Sequence, residues 1–578
     1  MSEALEIASP ELVKVGPEKS RLAAALGRFW PEAIVVALVL VVWAPRLSGP
    51  IDLRWDAGVY YVLGTSLAQG HGYRIVSEPG VPEAIQYPPL LPAFVALHER
   101  LLGSPQAAVV APWLRISYAI IFLSYGFATL ALARRYLPLG LAVIAVALSL
   151  FQVNTLFMSD LLFAEVPFAL VSVLFALVAV NERTGLRPWM RESLSFILVA
   201  TGFLLRTAGL ALLAAWIVES ILRRRWRVAI GRGLVALLPV IAWQAHVIRV
   251  RGSYEYAHPA YEYQRAPYQF YNVSYAENVA PSGLGKAGSI ESRASQVLKG
   301  VALNLARISK RLGEGISTSE GYWREFLSEM QGRIFGGQVI SLRIALAPIV
   351  ALSGLVMIGV ALLIRRRAWL MALVIISSVG LICLTPWPGQ FQRYLMPLTA
   401  FLAIAAMLAV VEVRNGLRKA SSSRPLNLIG QSAIAGLVVF AVTVQIYTAA
   451  RLFHDRQKEA ATFAAGRGAL KSHLFYLDPL WRGWQQAVAW IGQHAASDAI
   501  VATPYSHLCY LQTGRHAVSP PVESNPAEAG RLLDSVPVSY VIVDCGYTLP
   551  AVEKDSADWT LVESFAGTRL YQRRRNSP

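Results

Sequence analysis

The chain has 578 residues, of which 55% are hydrophobic and only 15% charged, and its mean hydropathy is +0.45. That balance excludes an ordinary soluble domain and calls for helices that face lipid. The formal charge of +17 does not signal nucleic acid, because Lys and Arg gather beside the apolar runs and no basic recognition motif stands apart from them.

The first apolar run, Ala33 to Trp43, follows a polar segment with no A-x-A cleavage site and reads as a retained helix rather than a signal peptide. Further runs cover Trp113 to Leu132, Leu139 to Phe157, Leu161 to Val180, Leu194 to Leu205, Thr207 to Leu222 and Gly233 to Ile248. Four more cover Ile344 to Ile364, Leu370 to Leu384, Leu395 to Val413 and Leu428 to Ala449. The expected fold is an all-α polytopic membrane bundle of about eleven transmembrane helices.

Short basic connectors mark the cytoplasmic side: Arg134-Arg135, Arg183 to Arg191, Arg223 to Arg227, Arg365 to Arg367 and Arg414 to Arg424, together with Lys14, Lys19 and Arg28. Leu194 to Leu222 has basic clusters at both ends and Arg206 in its middle. Two short helices meeting at Arg206 return both ends to the cytoplasm and carry the guanidinium to the outer face. The N-terminus is then inside, the C-terminus outside, and residues 47–112 and 249–343 are large outer loops.

After Ala450 the hydropathy falls, dividing a transmembrane region at 1–450 from an extracytoplasmic domain at 451–578. In the latter, Trp484 to His494 reads as a helix, Ala499 to Thr503 and Tyr540 to Asp544 as strands, and Leu561 to Gln572 as a closing hairpin or strand, giving a small α/β domain. Cys383, Cys509 and Cys545 have no metal-ligand spacing; Cys509 and Cys545 either pair or stay separate thiols. His71, His258 and His507 share no metal-binding spacing either.

Two acids precede the first-loop segment Ala57-Gly-Val-Tyr60-Tyr61, Asp52 and Asp56. Either serves as a general base if shielded from water, or simply caps the helix that starts near Ala57. Glu165, in Asp160-Leu-Leu-Phe-Ala-Glu165-Val-Pro167, is placed about one turn inside the fourth helix, where its cost implies a wet cavity or a partner on a neighbouring helix. Asp160 is an interfacial charge or a substrate contact. Arg206 and Arg393 suit phosphate oxygens if they converge, or snorkel to the interface if they do not. The tyrosines at 254, 256, 261, 263, 268, 271 and 275 form an interfacial aromatic belt or an acceptor groove.

These motifs resemble the GT-C superfamily of membrane glycosyltransferases, in the branch related to protein O-mannosyltransferases and the lipid A aminoarabinose transferase. The resemblance is carried by Asp56-Ala-Gly-Val-Tyr60, Gln86-Tyr87-Pro-Pro-Leu90, Glu165-Val-Pro167, Leu205-Arg206-Thr-Ala-Gly209 and Arg393-Tyr394-Leu-Met-Pro397. It implies inverting transfer of a sugar from a polyprenyl-phosphate donor to a lipid, glycan or protein acceptor at a bacterial inner membrane, on its periplasmic side. Asp56 and Glu165 are then the catalytic candidates, and Tyr60, Tyr87, Asp160, Arg206, Arg393 and Tyr394 the substrate-binding ones. Ala57 stands where the motif often has a second acid, which weakens any inference of a metal, and Glu165 replaces the usual Asp. No metal site is assigned. No nucleotide cofactor is required, in line with the lack of a P-loop or Gly-rich dinucleotide turn. A transporter and a non-catalytic binder of lipid-linked glycans are the competing classes, although no inverted repeat is evident and the acids fall beside outer loops.

Overall fold

The computed structural model describes residues 17–47, 49–180, 187–279, 290–335, 342–420, 424–464, 479–544, 549–553 and 557–574. Helices dominate: α1 (Pro17–Trp43), α2 (Asp56–Ala68), α3 (Leu90–Leu102), α4 (Ala107–Ala133), α5 (Leu139–Leu150), α6 (Val153–Asp160), α7 (Glu165–Val180), α8 (Pro188–Leu205), α9 (Leu210–Leu222) and α10 (Trp226–Arg251). They are followed by α11 (Ile290–Arg311), α12 (Glu320–Phe335), α13 (Leu342–Arg365), α14 (Trp369–Cys383), α15 (Phe391–Leu395), α16 (Thr399–Ala420) and α17 (Arg424–Ala464).

Among the described residues, six helices are long and apolar enough to cross a bilayer, or seven if α5 and α6, bent by 53°, are one span. Three further apolar segments, Glu165–Val180, Thr207–Leu222 and Trp369–Cys383, are shorter. Length and composition thus support a multi-pass bundle without reproducing the expected eleven spans, because one run is bent in its middle and the helices over several others are short.

Arg206 sits at one such break. It has extended backbone, with φ −151° and ψ 138°, between α8 and the single turn Thr207–Gly209. Arg232 on α10 then bonds Glu192 near the start of α8 at 2.9 Å and Glu219 near the end of α9 at 2.8 Å. The two ends of the pair remote from Arg206 therefore lie at one level, and the chain reverses at Arg206 as the charge pattern predicts. Gly209 permits the tight reversal, since a Cβ there would lie 2.4 Å from the Phe203 nitrogen.

The second break corrects the placement of Glu165, which is the first residue of α7 rather than a turn inside a helix. Pro167 explains the start: in the first helical turn its missing N–H leaves no hydrogen bond unmade. The preceding strand-like residues pair with the first outer loop. Asp52 N–H donates to the Asp160 carbonyl and Leu162 N–H to the Asp52 carbonyl, each at 3.0 Å. This bridge brings the loop that carries Asp56 beside the start of α7.

Asp160 accordingly plays a different part from the expected substrate contact. It is buried and accepts from Arg115 at 2.8 Å, with Arg46 3.5 Å away. Arg115 also donates to the Pro50 carbonyl at 2.7 Å. An enclosed carboxylate needs such partners, and these anchor the first loop to α4 and the end of α6.

The C-terminal domain contains α18 (Pro479–His494), β1 (Ile500–Ala502), α19 (Ser506–Thr513), β2 (Ala517–Val518), α20 (Pro526–Asp534), β3 (Val538–Val543), β4 (Trp559–Phe565) and β5 (Thr568–Arg573). Its sheet has the order β2-β1-β3-β5-β4, parallel across β2, β1 and β3 and antiparallel across β3, β5 and β4. Both expected strands and the closing hairpin are present. Cys509 is buried, and Cys545, with which it either pairs or not, lies outside the described residues. The domain docks on both outer loops: Ala517 N–H donates to the Ser77 carbonyl at 2.9 Å, and Tyr261 and Tyr263 join its apolar core. That burial rules out a lipid-facing belt for these two tyrosines.

Candidate active site

Four charged residues from four separate stretches meet at the end of the bundle. Arg393, at the centre, donates from Nη2 to Asp56 Oδ2 at 2.6 Å and from Nε to Glu165 Oε1 at 2.5 Å. Arg206 Nη1 lies 3.2 Å from the same Glu165 oxygen. Phe163 supports the centre, with the Arg393 guanidinium carbon 4.5 Å from its ring centroid. The cation shared by the two carboxylates is therefore an arginine side chain.

Asp56 opens α2, yet its side chain makes tertiary contacts with Arg393 and Tyr271. Besides Arg393, it accepts from the Tyr271 hydroxyl at 3.0 Å. Burial, and then the neighbouring Asp56, push the Tyr271 hydroxyl well above the usual tyrosine range, so it remains a donor. The residue before the helix, Trp55, has φ 54° and ψ −131°, a conformation that disfavours any Cβ-bearing residue. Its ring is clamped edge-on by Phe157 and by Trp481 of α18 at 5.7 and 5.8 Å.

Asp56, Arg206 and Arg393 line a cavity of about 430 Å³, together with Tyr60, Tyr87 and Tyr394. Part of its lining is charged and aromatic, with the Tyr60 and Tyr87 ring centroids 4.7 Å apart. The lining also includes apolar residues such as Leu210, Leu381, Ile382 and Leu398. The arrangement suits an amphiphile whose anionic head meets the arginines and whose tail follows the apolar wall.

Six of the eight residues singled out from sequence thus share this cavity. Glu165 is buried behind it, holding both arginines, and Asp160 belongs to the separate ion cluster. Gln86, Tyr275 and Trp387 also line the cavity and Tyr271 contacts Asp56; the sequence offers Gln86 only within a motif, Tyr271 and Tyr275 only as part of the tyrosine-rich stretch, and no signal for Trp387. Gln86 Oε1 is a buried acceptor with no hydrogen-bond partner among the described residues. Gln86 belongs to the motif Gln86-Tyr87-Pro-Pro-Leu90, and that context was the available signal. The basic ends of the helices lie opposite: Arg134 pairs with Glu32 at the start of the α1 span, and Arg135 bonds the Leu177 carbonyl near the end of α7.

No family model and no curated protein sequence matches the chain. Solved structures do. ArnT from Cupriavidus metallidurans bound to undecaprenyl phosphate is similar with a TM-score of 0.50 and 11% identity, covering 96% of this chain and 100% of that one. Its apo state gives 0.50 and 13%, covering 95% and 98%. The Archaeoglobus fulgidus oligosaccharyltransferase tethered to an acceptor peptide gives 0.50 and 13%, covering 90% of this chain and 70% of that one. At 11–13% identity the likeness is one of overall fold.

Proposed function

From a fold shared with GT-C membrane glycosyltransferases, we propose that this protein transfers a sugar from a polyprenyl-phosphate donor to a hydroxyl-bearing acceptor on the extracytoplasmic face of a bacterial inner membrane. The observation that carries this reading is the Asp56–Arg393–Glu165–Arg206 cluster, three of whose members line a cavity that is otherwise walled by aromatic and apolar residues. The cavity also lies away from the basic connectors, as the positive-inside rule requires of an outer site.

In this mechanism the prenyl tail follows the apolar wall and the phosphate sits against Arg206 and Arg393. Tyr60 and Tyr87 face the sugar, and the unpartnered Gln86 oxygen accepts one of its hydroxyls. Asp56 takes the proton of the acceptor hydroxyl as its oxygen attacks the anomeric carbon from the side opposite the phosphate. The carbon–oxygen bond to phosphate breaks with its electron pair on the leaving polyprenyl phosphate, and the anomeric configuration inverts. Glu165 keeps the two guanidiniums in place without touching substrate.

The test is transfer by the purified protein from a radiolabelled polyprenyl-phosphate sugar to a membrane glycolipid extract. Asp56→Asn should abolish product while leaving donor binding intact. Full turnover by that variant removes Asp56 as base. Solute uptake into proteoliposomes with no transfer from any donor would favour a carrier instead.

A further inference from the structure

Besides Trp481 against Trp55, a second side chain of the C-terminal domain lies against a partner of the site's acid. His507, in α19, is buried against the first outer loop, with Nδ1 2.7 Å from Ser77 Oγ. Its ring meets the Tyr271 ring edge-on, with centroids 5.0 Å apart and planes at 71°. Tyr271 is the residue whose hydroxyl donates to Asp56. Helix α2 approaches α19 so closely that a Cβ at Gly58 would lie 3.3 Å from the His507 Cβ.

His507 Nε2 is buried and meets no hydrogen-bond partner among the described residues. An orphaned ring nitrogen opposes folding, so packing alone favours an apolar side chain here. Burial also pushes His507 down to about 3, against the opposing pull of Asp56, so the imidazole is neutral in any ordinary assay. It acts by shape rather than by charge.

We propose that His507 is a positioning residue whose ring buttresses Tyr271, so that Tyr271 holds Asp56 in register and the C-terminal domain forms part of the active site. This rests on the reading of Asp56 as base. The domain then does more than cover the outer loops: separating α19 from α2 loosens the base itself.

The experiment measures sugar transfer by the full-length protein and variants. His507→Ala should lower kcat about tenfold and leave the donor KM within about twofold. In a Tyr271→Phe background, where no hydroxyl remains to be aimed, His507→Ala should cost less than about twofold more. Ser77→Ala/His507→Phe restores a ring without an orphaned hydroxyl and should recover kcat to within about threefold of wild type. Equal losses in both backgrounds, or a loss confined to KM, would overturn the proposal. Should His507→Ala fail to fold, His507→Leu, which keeps bulk but removes the ring, is compared in the same two backgrounds. Asp56→Asn separates the two ideas: if it is inactive while His507→Ala is fully active, only the buttress fails; if it is fully active, the base reading fails.

Discussion

Arg393 reaches across 337 residues of chain to place its Nη2 2.6 Å from Asp56. Its Nε holds Glu165 at the same time, so this one planar fork ties the first outer loop to the start of α7. In the proposed mechanism a donor phosphate competes with Asp56 and Glu165 for that fork.

Arg393→Lys tests the fork. A lysine keeps the charge but cannot bridge two carboxylates along fixed directions. Turnover should fall about a hundredfold and the donor KM should rise, both read from initial rates of sugar transfer. Arg206→Lys, which alters a single 3.2 Å contact to Glu165, should weaken donor binding more than turnover. Equal, small effects from both lysines would remove the bridging role.

Asp160 gives the opposite expectation. It is enclosed with Arg115 and Arg46 and does not line the cavity. Asp160→Ala leaves two buried guanidiniums without their counter-ion and should destabilise the fold by about 3–5 kcal/mol, visible as a lower melting temperature in detergent. The fraction that stays folded should keep its specific activity. A stable but inactive variant would return Asp160 to the substrate.

The contrast between Asp160 and Asp56 marks where the sequence was legible. Asp56, Arg206 and Arg393 were found because each is a polar residue in a motif beside an apolar run, where a charge needs a reason. Arg206 was also bracketed by basic clusters, which fixed the chain reversal. Asp160 offered the same local signal, but its meaning depends on Arg115 and Arg46, which lie 45 and 114 positions away and carry no shared pattern. Glu165 was placed a turn too deep although Pro167 announced the helix start. In the C-terminal domain β1 and β3 are legible from runs of apolar residues and β4 and β5 as a closing hairpin or strand, whereas the two-residue β2 is too short to show. The His507–Tyr271 contact joins a domain helix to an outer loop, and only the folded chain brings them together.

Glu99 provides a pH test outside the membrane helices. It is buried on α3, accepts from the Thr65 hydroxyl at 2.6 Å, and has its second oxygen without a partner among the described residues. Burial raises its carboxyl from the usual carboxylate range to about 7, against the lowering effect of Thr65. A carboxyl whose folded value is raised is fully favourable to folding below its unfolded value, and that contribution is lost as pH rises through the folded one. The relevant window therefore runs from about pH 4.5 to about 7. Glu99→Gln should be more stable than wild type at pH 8 by about 1–2 kcal/mol. The difference should vanish near pH 4, and a pH-independent difference in melting temperature would reject the assignment.

Trp55 carries the strain that aims Asp56. Its φ of 54° suits glycine, and an L side chain held there costs about 1–3 kcal/mol. The cost is offset by its ring packing between Phe157 and Trp481. Both Trp55→Ala and Trp55→Gly discard that packing, but only glycine also relaxes the backbone. Trp55→Gly should therefore melt above Trp55→Ala, by the equivalent of about 1 kcal/mol, although glycine is ordinarily the more destabilising replacement. Both variants should lose turnover, since a relaxed or unpacked residue 55 no longer fixes the direction in which α2 leaves the loop. An alanine variant as stable as the glycine one would mean that residue 55 is not strained, and that Asp56 is aimed by its contacts with Arg393 and Tyr271 alone.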